Sequence, residues 1–199
     1  MIDQNKALMR DRLREARQHI PPKERAAATR EVCQHGEALI CERIKAQDQI
    51  QDQAVVSGFW PIRDEIDIRP LLIQLNKVDL NCALPVVVGK QQPLAFRQWQ
   101  LGEALKENER GLHQPSEDAP IVSPQILIVP LLACDRDGYR LGWGAGYYDR
   151  TLEQLRASSK VVAIGVGFEL QHVDKVPRDR HDQRLDFMVT EKGVVEFSE

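Results

Sequence analysis

Residues 126–150 read ILIVPLLACDRDGYRLGWGAGYYDR, and their order decides the architecture. A strongly apolar run, Ile126 to Cys134, predicts a strand over Ile126–Leu132, and Asp135-Arg136-Asp137-Gly138 makes a short turn after it. Three glycines then alternate at Gly142, Gly144 and Gly146, and a segment of helical character runs from Tyr147 to Ala157. A strand, a glycine loop and a helix start in that order make a phosphate cradle. Glycine lets backbone approach a ligand with no Cβ in the way, and the free amides of a helix N-terminus favour anions. The loop lacks the Gly-Lys-Ser/Thr ending of a Walker A loop, and its third glycine comes too early for the dinucleotide pattern. Arg140 ahead of the glycines supplies a guanidinium for phosphate, and Asp149 behind them supplies a hard oxygen ligand suited to magnesium.

Working outward, Met9, Leu13, Ala16 and Ile20 recur at helical spacing and predict a helix from Lys6 to about His19. Lys6, Arg10, Arg14 and Arg17 form a second stripe one residue round, about 100° away. Read from the residues alone, such a basic stripe is a solvated helix edge. Pro21-Pro22 separates this helix from a second, Lys23 to Ile44, with Pro22 suited to its first turn. Further strands are expected at Ala54–Phe59, Cys82–Val88, Pro93–Trp99, Val161–Phe168 and Leu185–Thr190, with a short helix at Leu71–Val78. The alternation predicts one α/β domain over residues 1–199: three-layer and Rossmann-like, its largely parallel or mixed sheet covered by helices on both faces. Gly102 to Pro124 is polar, holds three prolines and reads as a long loop or flap.

Composition excludes several classes. No apolar run approaches about 20 residues, so no membrane span is expected. The start, Met-Ile-Asp-Gln-Asn-Lys, lacks the apolar core of a secretory signal. Cys33, Cys41, Cys82 and Cys134 form no CxxC pair and are expected as free thiols in a reducing cytosol, without structural zinc. The first 30 residues carry eight Lys/Arg against four Asp/Glu, yet the chain's formal net charge is −3 with 6% aromatics, which argues against a nucleic-acid partner. The five histidines sit in no nucleophile or metal pattern, and no GxSxG elbow accompanies them.

Val129-Pro130-Leu131-Leu132-Ala133-Cys134-Asp135 followed by RLGWGAGYYDR resembles the signature of the 5-formyltetrahydrofolate cyclo-ligase (methenyltetrahydrofolate synthetase) family. Other segments agree in order: Lys6 with Arg10, the acidic turn Asp64-Glu65-Ile66-Asp67, Ala83 to Val87, Pro93 to Arg97, and Pro177 to Asp182 with Asp186 beyond. The resemblance implies a monomeric, cytoplasmic enzyme with ATP as co-substrate and Mg²⁺ as cofactor, turning 5-formyltetrahydrofolate into 5,10-methenyltetrahydrofolate with release of ADP and phosphate. It places ATP on Lys6, Arg10, Arg140, Leu141, Gly142, Trp143, Gly144, Ala145, Gly146, Tyr147 and Tyr148. It places folate on Trp60 and Glu65, with Trp143, Gly144, Ala145, Gly146 and Tyr147 contributing. Magnesium falls to Asp149 and Asp182, and catalysis to Arg140 and Tyr147. Arg14 and Arg17 lie outside the pattern and stay surface residues. Two departures from the family stand out: Cys134 where Phe is usual, and Ala145 where Gly or Lys is common. They keep open an alternative, a non-catalytic folate- or nucleotide-binding paralogue that retains the cradle. A third reading, a sugar-phosphate or acyl-CoA enzyme on a related scaffold, has no catalytic carboxylate constellation of its own here, and the Asp64-Glu65 and Asp182 matches argue against it.

Overall fold

The computed structural model describes residues 2–46, 54–108 and 111–197. Helices α1 (Ile2–Gln18) and α2 (Pro22–Lys45) come first, then strand β1 (Val55–Ser57), helix α3 (Arg69–Lys77) and strands β2 (Asn81–Val86) and β3 (Ala95–Trp99). Two-residue strands β4 (Lys106–Glu107), β5 (His113–Gln114) and β6 (Ile121–Val122) follow. The chain continues through β7 (Ile126–Pro130), a hairpin of β8 (Ala133–Asp135) and β9 (Arg140–Leu141), and α4 (Tyr147–Ser158). It closes with β10 (Val162–Val166), β11 (His172–Val173), β12 (Phe187–Thr190) and β13 (Gly193–Glu196).

Eight strands form one sheet in the order β13-β12-β10-β7-β1-β2-β3-β6. The five central strands, β12 to β2, run parallel. The outer pairings, β13 with β12, β3 with β2 and β6 with β3, are antiparallel. Strand alternation splits the core into two layers. Ile126 and Ile128 join Val56, Leu84 and Ile164 against α2 and α3, which contribute Val32, Ile40, Leu71 and Leu75. Leu127 and Val129 join Ala83, Ala163 and Met188 on the opposite face, under Leu152 of α4. The three-layer α/β architecture expected from the sequence is therefore present, with helices on both faces of a mixed sheet. Among the described residues, no helix is long and apolar enough to cross a membrane.

The strand order matters for function. From β1 the chain winds through α3 to β2 on one side, whereas β7, α4, β10 and β12 build the other side. Connections thus depart in opposite directions on either side of the β1–β7 pair, and a crevice forms beyond the carboxyl ends of those strands, where open α/β sheets bind ligands.

Three expectations need correction. Residues 102–124 are not one structureless loop: β4 and β5 pair as a hairpin, and β6 extends the sheet beside β3. Within that segment, residues 109–110 lie outside the described set. The edge strand β13 goes beyond the strands expected from sequence; its residues alternate outward and carry too weak a pattern to announce it. The third correction concerns α1. Its buried residues are Lys6, Leu13 and Arg17, while Ala16 is exposed. Met9 and Leu13 do pack, on Ala133, Leu141 and Val176. The inward face is nevertheless shared with the basic stripe, and Arg17, expected on the surface, is only 1% exposed. Its pairing with the carboxylate of Asp64, 47 residues away, offsets the cost of burying it.

Close packing tolerates little extra volume where β10 passes under its neighbours. A Cβ on Gly165 would lie 2.5 Å from Leu185 Cδ1 and 2.7 Å from Leu131 Cδ2. Gly165→Ala is expected to destabilise the protein by about 1–3 kcal/mol through overpacking, measured as the fall in urea-unfolding free energy.

Candidate active site

The glycine loop is presented by a rigid hairpin. Asp135, fully buried, accepts the amides of Asp137 and Tyr139 on Oδ1, both at 3.0 Å, and the Val176 amide on Oδ2 at 3.0 Å. A single carboxylate thereby fixes the β8–β9 turn and joins it to the C-terminal segment. After β9 the backbone loosens. Gly144 has φ +103°, and Gly146, the residue before α4, has φ +65° in the left-handed region that glycine adopts without strain. Gly146, the N-cap of α4, brings no side chain to cap it, and the positive end of the helix dipole faces the glycine loop.

Around that end stand the cations and carboxylates anticipated from sequence, each with a partner. Arg10 reaches from α1 to donate through Nε to Gly142 O at 2.8 Å. Lys6 Nζ lies between Asp182 (2.7 Å) and Asp179 (2.9 Å). Burial lowers the Lys6 ammonium's pKa, but the two carboxylates outweigh this and leave it raised. Arg140, 6% exposed, pairs with Asp149 at 2.9 Å and donates to Gln183 O at 3.1 Å. Asp149 also accepts the Gln183 amide at 3.0 Å. Asp186 stands apart from this group and ties α4 to β10, accepting from Arg156 and from the Ala163 amide.

The other half of the site is apolar with one buried acid. Glu65 accepts the Ile62 amide on Oε2 at 3.0 Å and the Trp143 indole N–H on Oε1 at 2.9 Å. Burial raises its carboxyl pKa above the usual range despite those bonds. Trp60 packs edge-on against Trp99, ring centroids 6.0 Å apart, and lies 6.2 Å from His113 of the β4–β5 hairpin. The Tyr148 hydroxyl is buried with no hydrogen-bond partner among the described residues, an unusual state for a buried polar atom. Burial, reinforced by the charge of Glu65, raises its pKa.

Both halves line one cleft of about 660 Å³ beyond the ends of β1 and β7. Such a volume suits a ligand of considerable size. The chain matches the model of the 5-formyltetrahydrofolate cyclo-ligase family over residues 2–191. It belongs to that family.

Individual relatives agree. The 5-formyltetrahydrofolate cyclo-ligase of Haemophilus influenzae is 29% identical over 190 residues, covering 93% of this chain and 97% of that protein. The Escherichia coli protein of the same name is 33% identical over 147 residues, covering 71% and 80%. The solved structure of the Aquifex aeolicus 5,10-methenyltetrahydrofolate synthetase superposes with a TM-score of 0.76 at 27% identity, covering 98% of this chain and 93% of that one. The chain is thus an enzyme of the cyclo-ligase family.

Every residue singled out in the sequence lines the cleft: Lys6, Arg10, Trp60, Glu65, the run Arg140 to Asp149, and Asp182. Asp149 and Asp182 do not form a preassembled metal cage, since no three His, Cys, Asp or Glu side chains among the described residues gather into a metal-holding group. Two carboxylates still fit a hard ion that keeps several waters and takes phosphate oxygens. Cys134 is fully buried in the wall beside the loop, its thiol pushed up to about 12 by burial. Sequence reasoning missed Asp179, His113 and Arg150, which also line the cleft. It also missed Arg17 behind it. Arg17 Nε donates to Asp64 Oδ2 at 2.6 Å, and its guanidinium lies 5.5 Å from the Trp143 ring. Extending the Lys6–Arg10 stripe by seven residues reaches Arg17 on the same helix face, which was the signal available.

Burial raises the Asp64 carboxyl's pKa, but the Arg17 hydrogen bond and charge outweigh it and hold it below the ordinary range. The pair's contribution is complete above the unfolded carboxylate value near about 4 and is lost as pH falls through the lower folded value. Arg17→Ala is expected to cost about 3 kcal/mol at neutral pH, the order seen when one partner of a largely buried ion pair is removed. The loss should shrink in acid as Asp64 protonates; urea unfolding at a series of pH values measures both.

Proposed function

We propose that this enzyme converts 5-formyltetrahydrofolate to 5,10-methenyltetrahydrofolate in an ATP- and Mg²⁺-dependent reaction that releases ADP and phosphate. The observation that carries the reading is the adjacency, in one cleft, of an uncapped helix N-terminus ringed by Lys6, Arg10 and Arg140 and an apolar pocket holding the buried Glu65. The first half suits a triphosphate and the second a flat ring bearing N–H donors.

A formamide carbonyl is a poor electrophile, and its oxygen is a poor leaving group. In the proposed mechanism the formyl oxygen attacks the γ-phosphorus and ADP leaves, giving an N5-iminium phosphate. The N10 nitrogen then attacks the formyl carbon, the carbon–oxygen bond breaks, and phosphate departs with the oxygen as N10 loses its proton. The second step is intramolecular, so positioning by Trp60 and Glu65 supplies much of the acceleration. The first is phosphoryl transfer, governed by charge neutralisation. Amides from Gly142 to Tyr148 are assigned to the triphosphate. Lys6 and Arg140, each already paired with a carboxylate, are assigned to exchange that partner for phosphate oxygens, and Tyr147 to orient the reacting ends. Asp149 and Asp182 would hold magnesium, which when bound neutralises charge on the transferring phosphate. The proposed setting is cytoplasmic and monomeric, one domain acting on small molecules without nucleic-acid or membrane partners. The free, buried thiols of Cys82 and Cys134 suit a reducing compartment.

Incubating the pure protein with ATP, Mg²⁺ and 5-formyltetrahydrofolate is expected to raise the near-ultraviolet absorbance of the methenyl product. Folded protein that binds folate without that rise would instead be a non-catalytic paralogue. A sharper expectation concerns Gly142. A Cβ there meets nothing within 4 Å, and its φ lies outside the left-handed region. Gly142→Ala should therefore leave stability within about 0.5 kcal/mol, as for substitutions that touch nothing. It should nevertheless weaken ATP binding about tenfold or more, because the methyl intrudes on backbone the phosphates approach. Calorimetric titration with a non-hydrolysable ATP analogue, beside thermal melts, checks both halves.

A further inference from the structure

The acid assigned to the folate ring already has an occupant. Glu65 Oε2 serves its own turn through the Ile62 amide, whereas Oε1 accepts an indole N–H from Trp143, 78 residues away on the glycine loop. Glu65 is only 8% exposed, so the indole takes the oxygen that its own turn leaves open. An indole is a donor only, a flat ring edge carrying one N–H. It offers Oε1 the same kind of group that a pterin would.

We propose that Trp143 is a displaceable cap on Glu65, a stand-in for the substrate ring that folate binding expels. This rests on the reading of Glu65 given under the proposed function. Three observations favour a cap over a fixed wall. Trp143 is flanked by Gly142 and Gly144, neither of which carries a side chain to restrain the turn, and Gly144 is exposed. Its ring is held by guanidiniums rather than by interlocking apolar side chains, with Arg17 at 5.5 Å and the exposed Arg63 at 5.3 Å. It also belongs to none of the three apolar clusters that make up the core. The cap keeps a buried carboxylate hydrogen-bonded while the pocket is empty, sparing the enzyme an unsatisfied buried acceptor. Its release moves the segment assigned to the nucleotide, so occupation of the ring pocket reshapes the phosphate cradle.

The test is the affinity for 5-formyltetrahydrofolate without nucleotide, by calorimetry, for the wild type, Trp143→Phe, Trp143→Leu and Glu65→Gln. Removing the indole N–H removes a competitor, so both Trp143 variants should bind folate roughly 3- to 10-fold more tightly, the range set by the net worth of one hydrogen bond. Unchanged or weaker binding in both overturns the cap. The chain has three tryptophans, so three indole N–H signals are expected in a ¹⁵N-labelled sample, that of Trp143 assigned by its loss in the variants. Saturating folate should shift that signal and speed its exchange with solvent; a signal unmoved in the complex also overturns the cap. The underlying reading fails separately. Glu65→Gln binding folate as tightly as the wild type would remove Glu65 from the ring pocket, and folded wild type that binds no folate would remove the substrate.

Discussion

A parallel sheet wound outward in two directions from the same pair of strands has to open between them. Here that pair is β1 and β7, and everything of functional interest gathers where their carboxyl ends part. Trp60 follows β1, Pro85 and Val87 stand at the neighbouring end of β2, and the glycine loop arrives from β7 through a short hairpin. The cleft is thus a consequence of chain direction before it is a consequence of side chains. The residues that give it chemistry are those the topology was already bound to deliver there.

What the topology opens, charge holds in shape. The cations at the cleft and behind it do not stand alone: Lys6 lies between two aspartates, Arg140 against a third, and the buried Arg17 against Asp64. Such pairing gives each group a counter-charge without ligand and keeps the walls from repelling one another. In the proposed reaction it would also set the cost of binding, because phosphate would compete with carboxylates for the same guanidinium and ammonium groups. A divalent ion that engages those carboxylates relieves the competition, which is the physical reason for expecting nucleotide and metal to arrive together.

Much of this was legible in the sequence because it is local. The glycine spacing, the arginine before it and the aspartate after it lie within ten residues, and glycine at positive φ leaves a plain trace at Gly144 and Gly146. The family resemblance then linked Lys6, Trp60, Glu65 and Asp182, which no spacing argument could have brought together. Arg17 was misjudged for a physical reason. A basic stripe reads as solvated unless its partner is known, and Asp64 lies 47 residues away. The β4–β5 hairpin and β13 were missed because short edge strands bury little and so carry little alternation. Trp143 lines the cleft, but its bond to Glu65 joins two motifs that sequence reads separately.

Helix α1 has an awkward place in the life of the chain. Three of its side chains are riveted to positions 64, 142 and 179–182. It is made long before the last of those positions, so during synthesis it waits, amphipathic and undocked, until residues 179–182 have left the ribosome. Maturation of the cleft is therefore tied to the arrival of residues 179–182, and a product ending before them would also lack β12 and β13, which complete one side of the sheet.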